Sequence, residues 1–202
     1  MNRYGTPLIL AGLLFLAAAM LLTGYNLQEA WYAETVCKQS LEQLKPLLPQ
    51  RAVHAAGDEM EYPDYVLDPG MAMPVQALDG VDYIGVLSLP DLALELPVQT
   101  EWNYERLKNT PCRYAGTAYQ GNFVIAAHNY QRHFGALHTL SLGSPVTFTD
   151  MDGNTFFYEV TEISTLAPTD TEEMVTPGCD LTLFTCTVGG RSRICVRCVK
   201  IK

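Results

Sequence analysis

The chain has 202 residues, 48% of them apolar and 17% charged, which suits one packed domain of moderate size with additional segments. Its 22 acidic residues outnumber its 13 basic ones, giving a formal net charge of −9. Because binding to polyphosphate depends on basic side chains, this balance argues against a nucleic-acid partner. The six cysteines include one C-x-x-C pair, Cys195 and Cys198, whereas a structural zinc site needs about four ligands. We therefore expect no metal ion and no other cofactor.

An apolar segment near the N-terminus predicts a membrane anchor. Leu8 to Leu22 is apolar throughout, counting one glycine, and no charged residue occurs between Tyr4 and Gln28. A spanning helix needs about 20 mostly apolar residues, whereas the alternative, a cleaved signal peptide, has an apolar region of about 7–15 residues. Because apolar residues continue beyond the small stretch Ala17-Ala18-Ala19, we expect an uncleaved anchor over residues 7–25.

The charges that flank this segment predict its orientation. Arg3 precedes it, and Glu29 and Glu34 follow it. Since positive charge is retained on the inner side, residues 1–6 are expected to form a cytoplasmic tail. The chain would then cross the cell membrane once, with its bulk extracytoplasmic.

Residues 26–80 are predicted to form a helical stalk and a linker. The helical pattern covers residues 27–48 and ends at Pro49. Its apolar residues recur at roughly helical spacing: Leu27, Trp31, Leu41, Leu44 and Leu47. Residues 54–80 mix glycine, proline and aspartate without a clear period, which is typical of a linker.

Residues 81–202 are predicted to form an all-β domain. Short apolar runs separated by turn residues recur there, and Asp152-Gly153 marks a hairpin. The runs cover residues 83–87, 92–98, 122–127, 145–149, 155–160, 181–186 and 193–200. One short helix is expected over residues 104–108. Many short strands with turn signals favour a closed or nearly closed β-barrel.

The last two runs place a cysteine beside an arginine. The connection between them contains Gly189-Gly190 and is short enough for a hairpin. In that pairing Cys186 lies opposite Arg193, and directly opposed residues have β-carbons about 4.5–5.5 Å apart. Cys195 would then face Phe184, about 7–8 Å from Cys186 on the diagonal. We therefore expect no Cys186–Cys195 disulfide.

These residue types suit acyl transfer. A nearby cation favours the thiolate of Cys186, which is the nucleophilic form. A fixed guanidinium can stabilise the oxyanion that forms when a thiolate attacks a carbonyl, and we rank Arg193 first, Arg191 second and Arg197 third for this role. His128 ends a buried-looking run and is the best candidate for the acid that protonates the departing amine.

The other cysteines and histidines are predicted to have structural roles. Buried, inert positions are expected for Cys37, Cys112, Cys179 and Cys198. Structural or solvated positions are expected for His54, His133 and His138.

These residues also resemble a known family. Leu181-Thr182-Leu183-Phe184-Thr185-Cys186 resembles the T-L-x-T-C signature of sortases. Val124 to Asn129 resembles the strand that ends in the sortase histidine, here His128, although many members have glycine where this chain has Ala127. Arg193 resembles the arginine on the next strand. The resemblance covers about residues 83 to 200, in the family's order of histidine, cysteine and arginine.

The resemblance implies an eight-stranded β-barrel on the outer face of a Gram-positive membrane. Sortases cleave an L-P-x-T-G-like sorting signal, form a thioacyl intermediate on the cysteine and pass it to an amine. The implied partners are a surface protein or pilin with a C-terminal sorting signal, and an acceptor amine from a cell-wall precursor or a pilin lysine.

Two other classes remain as alternatives. Another envelope cysteine peptidase or transpeptidase fits less well, because L,D-transpeptidases place glycine before the cysteine and papain-like enzymes place the cysteine before the histidine. The second alternative is a catalytically inactive anchored scaffold. A thiol-reactive probe that labels Cys186 would argue against the scaffold.

Substrate-binding residues are expected beside the nucleophile. They include Thr182 and Thr185 of the signature. The segment 165–180 leads into the cysteine strand, and its apolar residues would supply a floor for a Leu-Pro motif: Leu166, Met174 and Val175. The alternative for this segment is an ordinary surface loop.

A lid is the last expectation. Some sortases, mainly those that polymerise pili, carry an Asp-Pro-aromatic lid, and Asp68-Pro69 lies upstream of the barrel in the corresponding order. Gly70 stands where the aromatic residue would be, so Met71 or Met73 would have to cover the thiol while Asp68 pairs with Arg193. The alternative is a solvated Asp-Pro-Gly turn.

Overall fold

The computed structural model describes residues 5–49, 62–175, 178–187 and 189–201. Residues 1–4 of the expected tail and residues 54–61 of the expected linker, with His54, lie outside the described residues. The helices are α1 (Gly5–Leu44), α2 (Asp64–Leu67), α3 (Tyr104–Leu107) and α4 (Thr171–Met174), with 3-10 turns at Lys45–Leu47, Pro90–Leu92 and Leu137–Thr139. The strands are β1 (Gln76–Leu78), β2 (Val81–Leu89), β3 (Leu94–Gln99), β4 (Cys112–Ala115), β5 (Phe123–Ala126), β6 (Pro145–Asp150), β7 (Thr155–Leu166), β8 (Leu181–Cys186) and β9 (Arg193–Ile201).

Eight strands, β2 to β9, close into a mixed barrel. Neighbours follow the order β2-β3-β4-β5-β8-β9-β7-β6, and β6 pairs with β2 to complete the circle. The β3–β4 and β5–β8 pairs are parallel, and the others are antiparallel. The expected eight-stranded all-β barrel preceded by a long apolar helix is therefore confirmed.

One strand lies within the segment expected to be a linker. β1 pairs with the start of β2, with Leu78 opposite Val81, and a two-residue Asp79-Gly80 turn joins them. Both turn residues have positive φ, 51° and 78°, a conformation that Asp-Gly adopts readily in tight hairpins. The alternation of side chains along β1 is not recognisable in the sequence because the strand has only three residues.

Alternation along the strands fills the barrel interior with large apolar side chains. The most completely buried include four aromatic residues of β5, β6 and β7: Phe123, Phe148, Phe156 and Tyr158. A second apolar cluster covers the outer face of β5, β8 and β9 and contains Leu107, Cys112, Val124, Ala126, Leu166, Met174, Phe184 and Cys195. Both faces of the strand that ends in Cys186 are thus packed, which fixes its register.

The N-terminal helix α1 is 40 residues long and runs unbroken from the apolar segment into the expected stalk. The apolar part is long enough to cross a membrane and none of it is buried, which is consistent with a membrane anchor or a signal sequence. The later part differs from the expected stalk because it packs on the barrel. Its buried residues follow a helical stripe at i, i+4, i+7 and i+11: Ala33, Cys37, Ser40 and Leu44.

Candidate active site

The β8–β9 hairpin places the expected cysteine and arginine opposite each other. Cys186 pairs with Arg193, and Phe184 pairs with Cys195, as the sequence predicted. The connection turns at Gly189 and Gly190, which have φ of 81° and 68°. Only glycine adopts two successive left-handed conformations without strain, so these residues let the hairpin close directly beyond the nucleophile.

Cys186 is half-buried and borders a cavity of about 270 Å³. The thiol is free, as are those of the other five cysteines. The cavity is lined by Asn129, Gly135, His138, Thr185, Cys186, Thr187 and Ile194. A nucleophile at the wall of such a cavity can meet a substrate carbonyl, which the buried cysteines of the chain cannot do.

The parallel pairing of β5 with β8 brings His128 level with Cys186. Ala126 lies beside Phe184, and the Ala127 amide donates a hydrogen bond to the Phe184 carbonyl oxygen at 3.2 Å. The Thr185 hydroxyl donates to the Ala127 carbonyl oxygen at 2.9 Å. β5 ends at Ala126, so His128 follows the paired register by two residues, and it is not among the residues that line the cavity at Cys186.

The environment of His128 favours the neutral imidazole. Burial lowers its pKa below the usual value, while Glu29 acts in the opposite direction and Lys108 reinforces the lowering. The ring is stacked on Tyr130, with centroids 4.0 Å apart and planes at 25°. Its Nδ1 is buried and has no hydrogen-bond partner among the described residues.

Three arginines compete for the oxyanion role, and their contacts differ. Among the described residues, the Arg193 guanidinium makes long hydrogen bonds from Nη1 to the carbonyl oxygens of Gly190 at 3.4 Å and Ser192 at 3.3 Å. Arg197 is engaged elsewhere, because it pairs with both carboxylate oxygens of Glu162 at 2.8 and 2.9 Å. Arg191 is exposed in the hairpin turn. These contacts are consistent with Arg193 as the first candidate.

The expected substrate-binding residues fall into two groups. Thr185 borders the cavity, but it is 2% exposed and its hydroxyl is used by the Ala127 carbonyl. The remaining candidates do not line this cavity. Thr182, Leu166 and Met174 are buried, the last two in the outer apolar cluster, whereas Val175 is 43% exposed. Residues 176 and 177 of the expected groove wall lie outside the described part.

Five residues that line the cavity were not predicted as site residues: Asn129, Gly135, His138, Thr187 and Ile194. Asn129 and Gly135 belong to the segment after His128, and a Cβ on Gly135 would lie 2.6 Å from the Asn129 carbonyl oxygen. His138 was expected to be structural or solvated; it is exposed, at the cavity wall, with Nδ1 3.1 Å from the Gly135 carbonyl oxygen. A close backbone approach that requires glycine leaves no mark in a single sequence.

The structure does not place the expected lid over the cysteine. Asp68 is exposed and accepts a hydrogen bond from the Gly70 amide at 3.0 Å, as in a solvated Asp-Pro-Gly turn. Tyr65, three residues earlier, lies 5.9 Å from the Lys200 ammonium. Lys200 is seven residues along β9 from Arg193, about 23 Å at strand rise. Met73 is buried in the barrel core. The turn preference of Asp-Pro-Gly therefore prevails over the expected Asp68–Arg193 contact.

A closed β-barrel with a half-buried, cavity-lining thiol opposite an arginine is consistent with a cysteine acyltransferase. The family model of the sortase domain matches residues 87–201, more than half of the chain. The chain therefore belongs to the sortase family, a family of cysteine transpeptidases. A search of curated proteins gave no match.

Solved structures with the same fold include three sortases. A Clostridium perfringens sortase D5 transpeptidase is 22% identical, with 83% of this chain and 99% of that chain covered and a TM-score of 0.59. Sortase C1 from Streptococcus suis is 28% identical, with 59% and 73% covered and a TM-score of 0.52. Sortase C1 of GBS pilus island 1 is 24% identical, with a TM-score of 0.53; the match covers 59% of this chain and 64% of that chain.

Proposed function

We propose that this chain is an active, membrane-anchored sortase that cleaves an L-P-x-T-G-like sorting signal and transfers the acyl part to an amine. The observation that supports the proposal is the paired register of three strands, which sets Cys186 opposite Arg193 and ends β5, two residues before His128, beside the strand of Cys186. The donor would be a surface protein or pilin with a C-terminal signal. The acceptor would be an amine of a cell-wall precursor or a pilin lysine.

The residues account for each step of the transfer. The Cys186 thiolate attacks the carbonyl carbon of the Thr–Gly bond, and the Arg193 guanidinium donates hydrogen bonds to the oxyanion that forms. When the intermediate collapses, the C–N bond breaks and His128 protonates the departing amine. The acyl group is now a thioester on Cys186.

The second half reverses the proton transfers. An acceptor amine attacks the thioester carbonyl, the new oxyanion is stabilised by Arg193, and the amine loses its proton to His128. The thiolate of Cys186 then leaves and the new amide is released. Because burial lowers the pKa of His128, its protonated form gives up a proton readily to the first leaving group.

The proposed location follows from the charges around α1. Arg3 precedes the apolar segment and acidic residues follow it, so the tail lies in the cytoplasm and the barrel outside the cell membrane. A cleaved signal sequence is the alternative, and the N-terminal residue of the mature protein distinguishes them. Mass spectrometry of the protein from membranes would show the intact N-terminus if the segment is an anchor.

The decisive experiment is trapping of the acyl-enzyme. The full chain in detergent is incubated with peptides of L-P-x-T-G and its variants, with triglycine or a lysine peptide as acceptor. We expect a mass increase localised to Cys186, lost in Cys186→Ala and kept in Cys179→Ala, the matched control at another partly exposed cysteine. A thiol that reacts with alkylating agents but forms no adduct with any peptide would favour the inactive scaffold.

A further inference from the structure

The segment from His128 to Ala136, which we call the histidine loop, lies between the barrel and α1. It is tightly wound, because the amides of His133 and Gly135 both donate to the Tyr130 carbonyl oxygen, at 2.9 and 3.0 Å. The Phe134 amide also donates to the His128 carbonyl oxygen at 3.2 Å. Movement of the loop would therefore move His128.

A second cysteine–histidine pair ties this loop to α1. The Cys37 Sγ lies 3.2 Å from the His133 Nε2, and both side chains are buried, with exposures of 5% and 0%. The Cys37 Sγ also lies 3.2 Å from the Asn109 carbonyl oxygen, to which the thiol donates. Burial lowers the pKa of His133 to about 4, so the pair is neutral at ordinary pH. A sealed neutral pair is unsuited to catalysis but fixes the two elements against each other.

The contact continues from the buried pair to the catalytic histidine. The Tyr130 ring meets His133 edge-on at 5.6 Å between centroids, and its stacked face meets His128 at 4.0 Å. At the rim of the same contact, the Arg132 Nε lies 3.6 Å from a carboxylate oxygen of Glu34 on α1. The helix, the buried pair and the two aromatic rings thus form one packed series.

His128 depends on this packing for its orientation. Catalytic histidines are commonly held by a hydrogen bond to the second ring nitrogen. Here the Nδ1 of His128 has no such partner among the described residues. The stacked ring of Tyr130 is therefore the contact that sets the ring plane of His128, and Tyr130 is itself held by the His133 loop turn.

We propose that α1 positions the catalytic histidine, with Cys37 and His133 as positioning residues that act through Tyr130. The inference rests on the proposed function for its kinetic part only. Its structural part concerns the environment of His128, which is defined whether or not the chain turns over a peptide.

The pKa of His128 reports on the packing of the histidine loop, because it depends on burial and on the charged groups that face the ring. Glu29 on α1 raises its pKa, Lys108 beside α3 lowers it, and burial against Tyr130 lowers it most. If the histidine loop loosens, His128 gains contact with water and its pKa rises toward the ordinary value. This direction is specific, because general destabilisation of the barrel elsewhere leaves the ring buried.

The test uses ¹⁵N-histidine NMR of the full chain in detergent micelles. The chain has four histidines, so the His128 titration can be assigned with a His128→Gln variant. We compare Cys37→Ala with Cys37→Ser, which retains a hydrogen-bonding group for His133. The matched control is Ser40→Ala, which removes a contact of 3.0 Å between the same face of α1 and Tyr83, away from the histidine loop.

We expect Cys37→Ala to raise the pKa of His128 and to lower kcat about tenfold or more, with the KM for peptide nearly unchanged. Cys37→Ser should restore most of both values, and Ser40→Ala should leave both as in the wild type. If Cys37→Ala does not fold, Tyr130→Leu removes the stacked ring without touching the buried pair and should give the same shift.

An unchanged His128 titration in Cys37→Ala or Tyr130→Leu would overturn the inference. Equal shifts in Cys37→Ala and Ser40→Ala would also overturn it, because docking as a whole would then be responsible. A wild-type protein without peptide turnover would refute the proposed function while the NMR comparison still decides the role of α1.

Discussion

The chain contains two cysteine–histidine pairs, and they differ in nearly everything except composition. Cys37 and His133 are in direct contact, sealed between α1 and the barrel. The proposed catalytic pair, Cys186 and His128, is half-buried; Cys186 borders a cavity and lies opposite Arg193, and His128 follows the end of β5. Contact between a thiol and an imidazole is thus not what distinguishes an active site. The second pair differs in two ways: a substrate can reach the thiol, and a guanidinium lies beside the thiol to stabilise the negative charge that develops on the carbonyl oxygen.

Thiol reactivity is where the two pairs should differ most. In the native full chain we expect iodoacetamide to modify Cys186 on the order of 10³-fold faster than Cys37, because a buried thiol reacts only after local opening. Peptide mapping over a time course measures both rates, with partly exposed Cys179 as an internal reference. Comparable rates at Cys37 and Cys186 would show that α1 detaches readily from the barrel.

The cation beside the thiol accounts for the next largest effect. Arg193→Ala should lower kcat about 10²–10³-fold, since one oxyanion donor is lost. Arg197→Ala is the control on the same strand; it loses its ion pair with Glu162 and should lower stability more than turnover. Full activity in Arg193→Ala together with loss in Arg191→Ala would move the oxyanion role to Arg191.

The buried pair should control stability in acid. The pKa of His133 is about 4 in the folded chain and about 6.5 when unfolded, so the unfolded state binds more protons between these values. The free energy of unfolding therefore has its full value, as far as His133 is concerned, above pH 6.5. It falls by about 3 kcal/mol as the pH falls toward 4. Urea unfolding at several pH values measures this slope, which His133→Gln should flatten. Equal slopes would mean that the ring is hydrated.

The smallest effect should come from the hydrogen bond that joins the end of the cysteine strand to the residue before His128. Thr185→Val removes the hydroxyl that donates to Ala127 and should cost about 0.5–1.5 kcal/mol of unfolding free energy. Turnover should also fall, because Ala127 precedes His128. Thr161→Val, which removes a similar hydroxyl-to-carbonyl bond to Arg197 on the far side of β9, should not lower turnover. Equal turnover in both variants would separate Thr185 from the alignment of His128.

The sequence predicted the hairpin register because it depends on local rules. Strand alternation and two glycines were sufficient to place Cys186 opposite Arg193. His128 was selected because it ends a buried-looking run, and the family resemblance points to the same residue. β4 was not predicted, since it has only four residues, a single register pair with β3 and an irregularity in its antiparallel pairing with β5. Such pairings depend on tertiary context that a single sequence does not display.

The packing of α1 was misread for a different reason. The large apolar residues Leu27, Trp31 and Leu47 suggested one face, but each is exposed by 48% or more. The docked stripe is made of Ala33, Cys37, Ser40 and Leu44, of which three are small. Small residues let a helix approach a barrel closely, yet their hydrophobic signal is weak. Asp68 shows a related limit. The sequence indicates both a local Asp-Pro-Gly turn and an alternative contact with Arg193, but it does not show which of the two is formed.

Because α1 is continuous, the barrel of the proposed enzyme would be held at a fixed distance from the membrane. Ala33, the first docked residue, lies eleven positions after Leu22, where the apolar run ends, and at 1.5 Å per residue this is a rise of about 16 Å. In the proposed topology the barrel cannot swing on a tether, so a substrate must present its signal at that height. Each residue inserted between Leu22 and Ala33 would rotate the cavity at Cys186 by about 100° around the helix axis and move it about 1.5 Å further from the membrane.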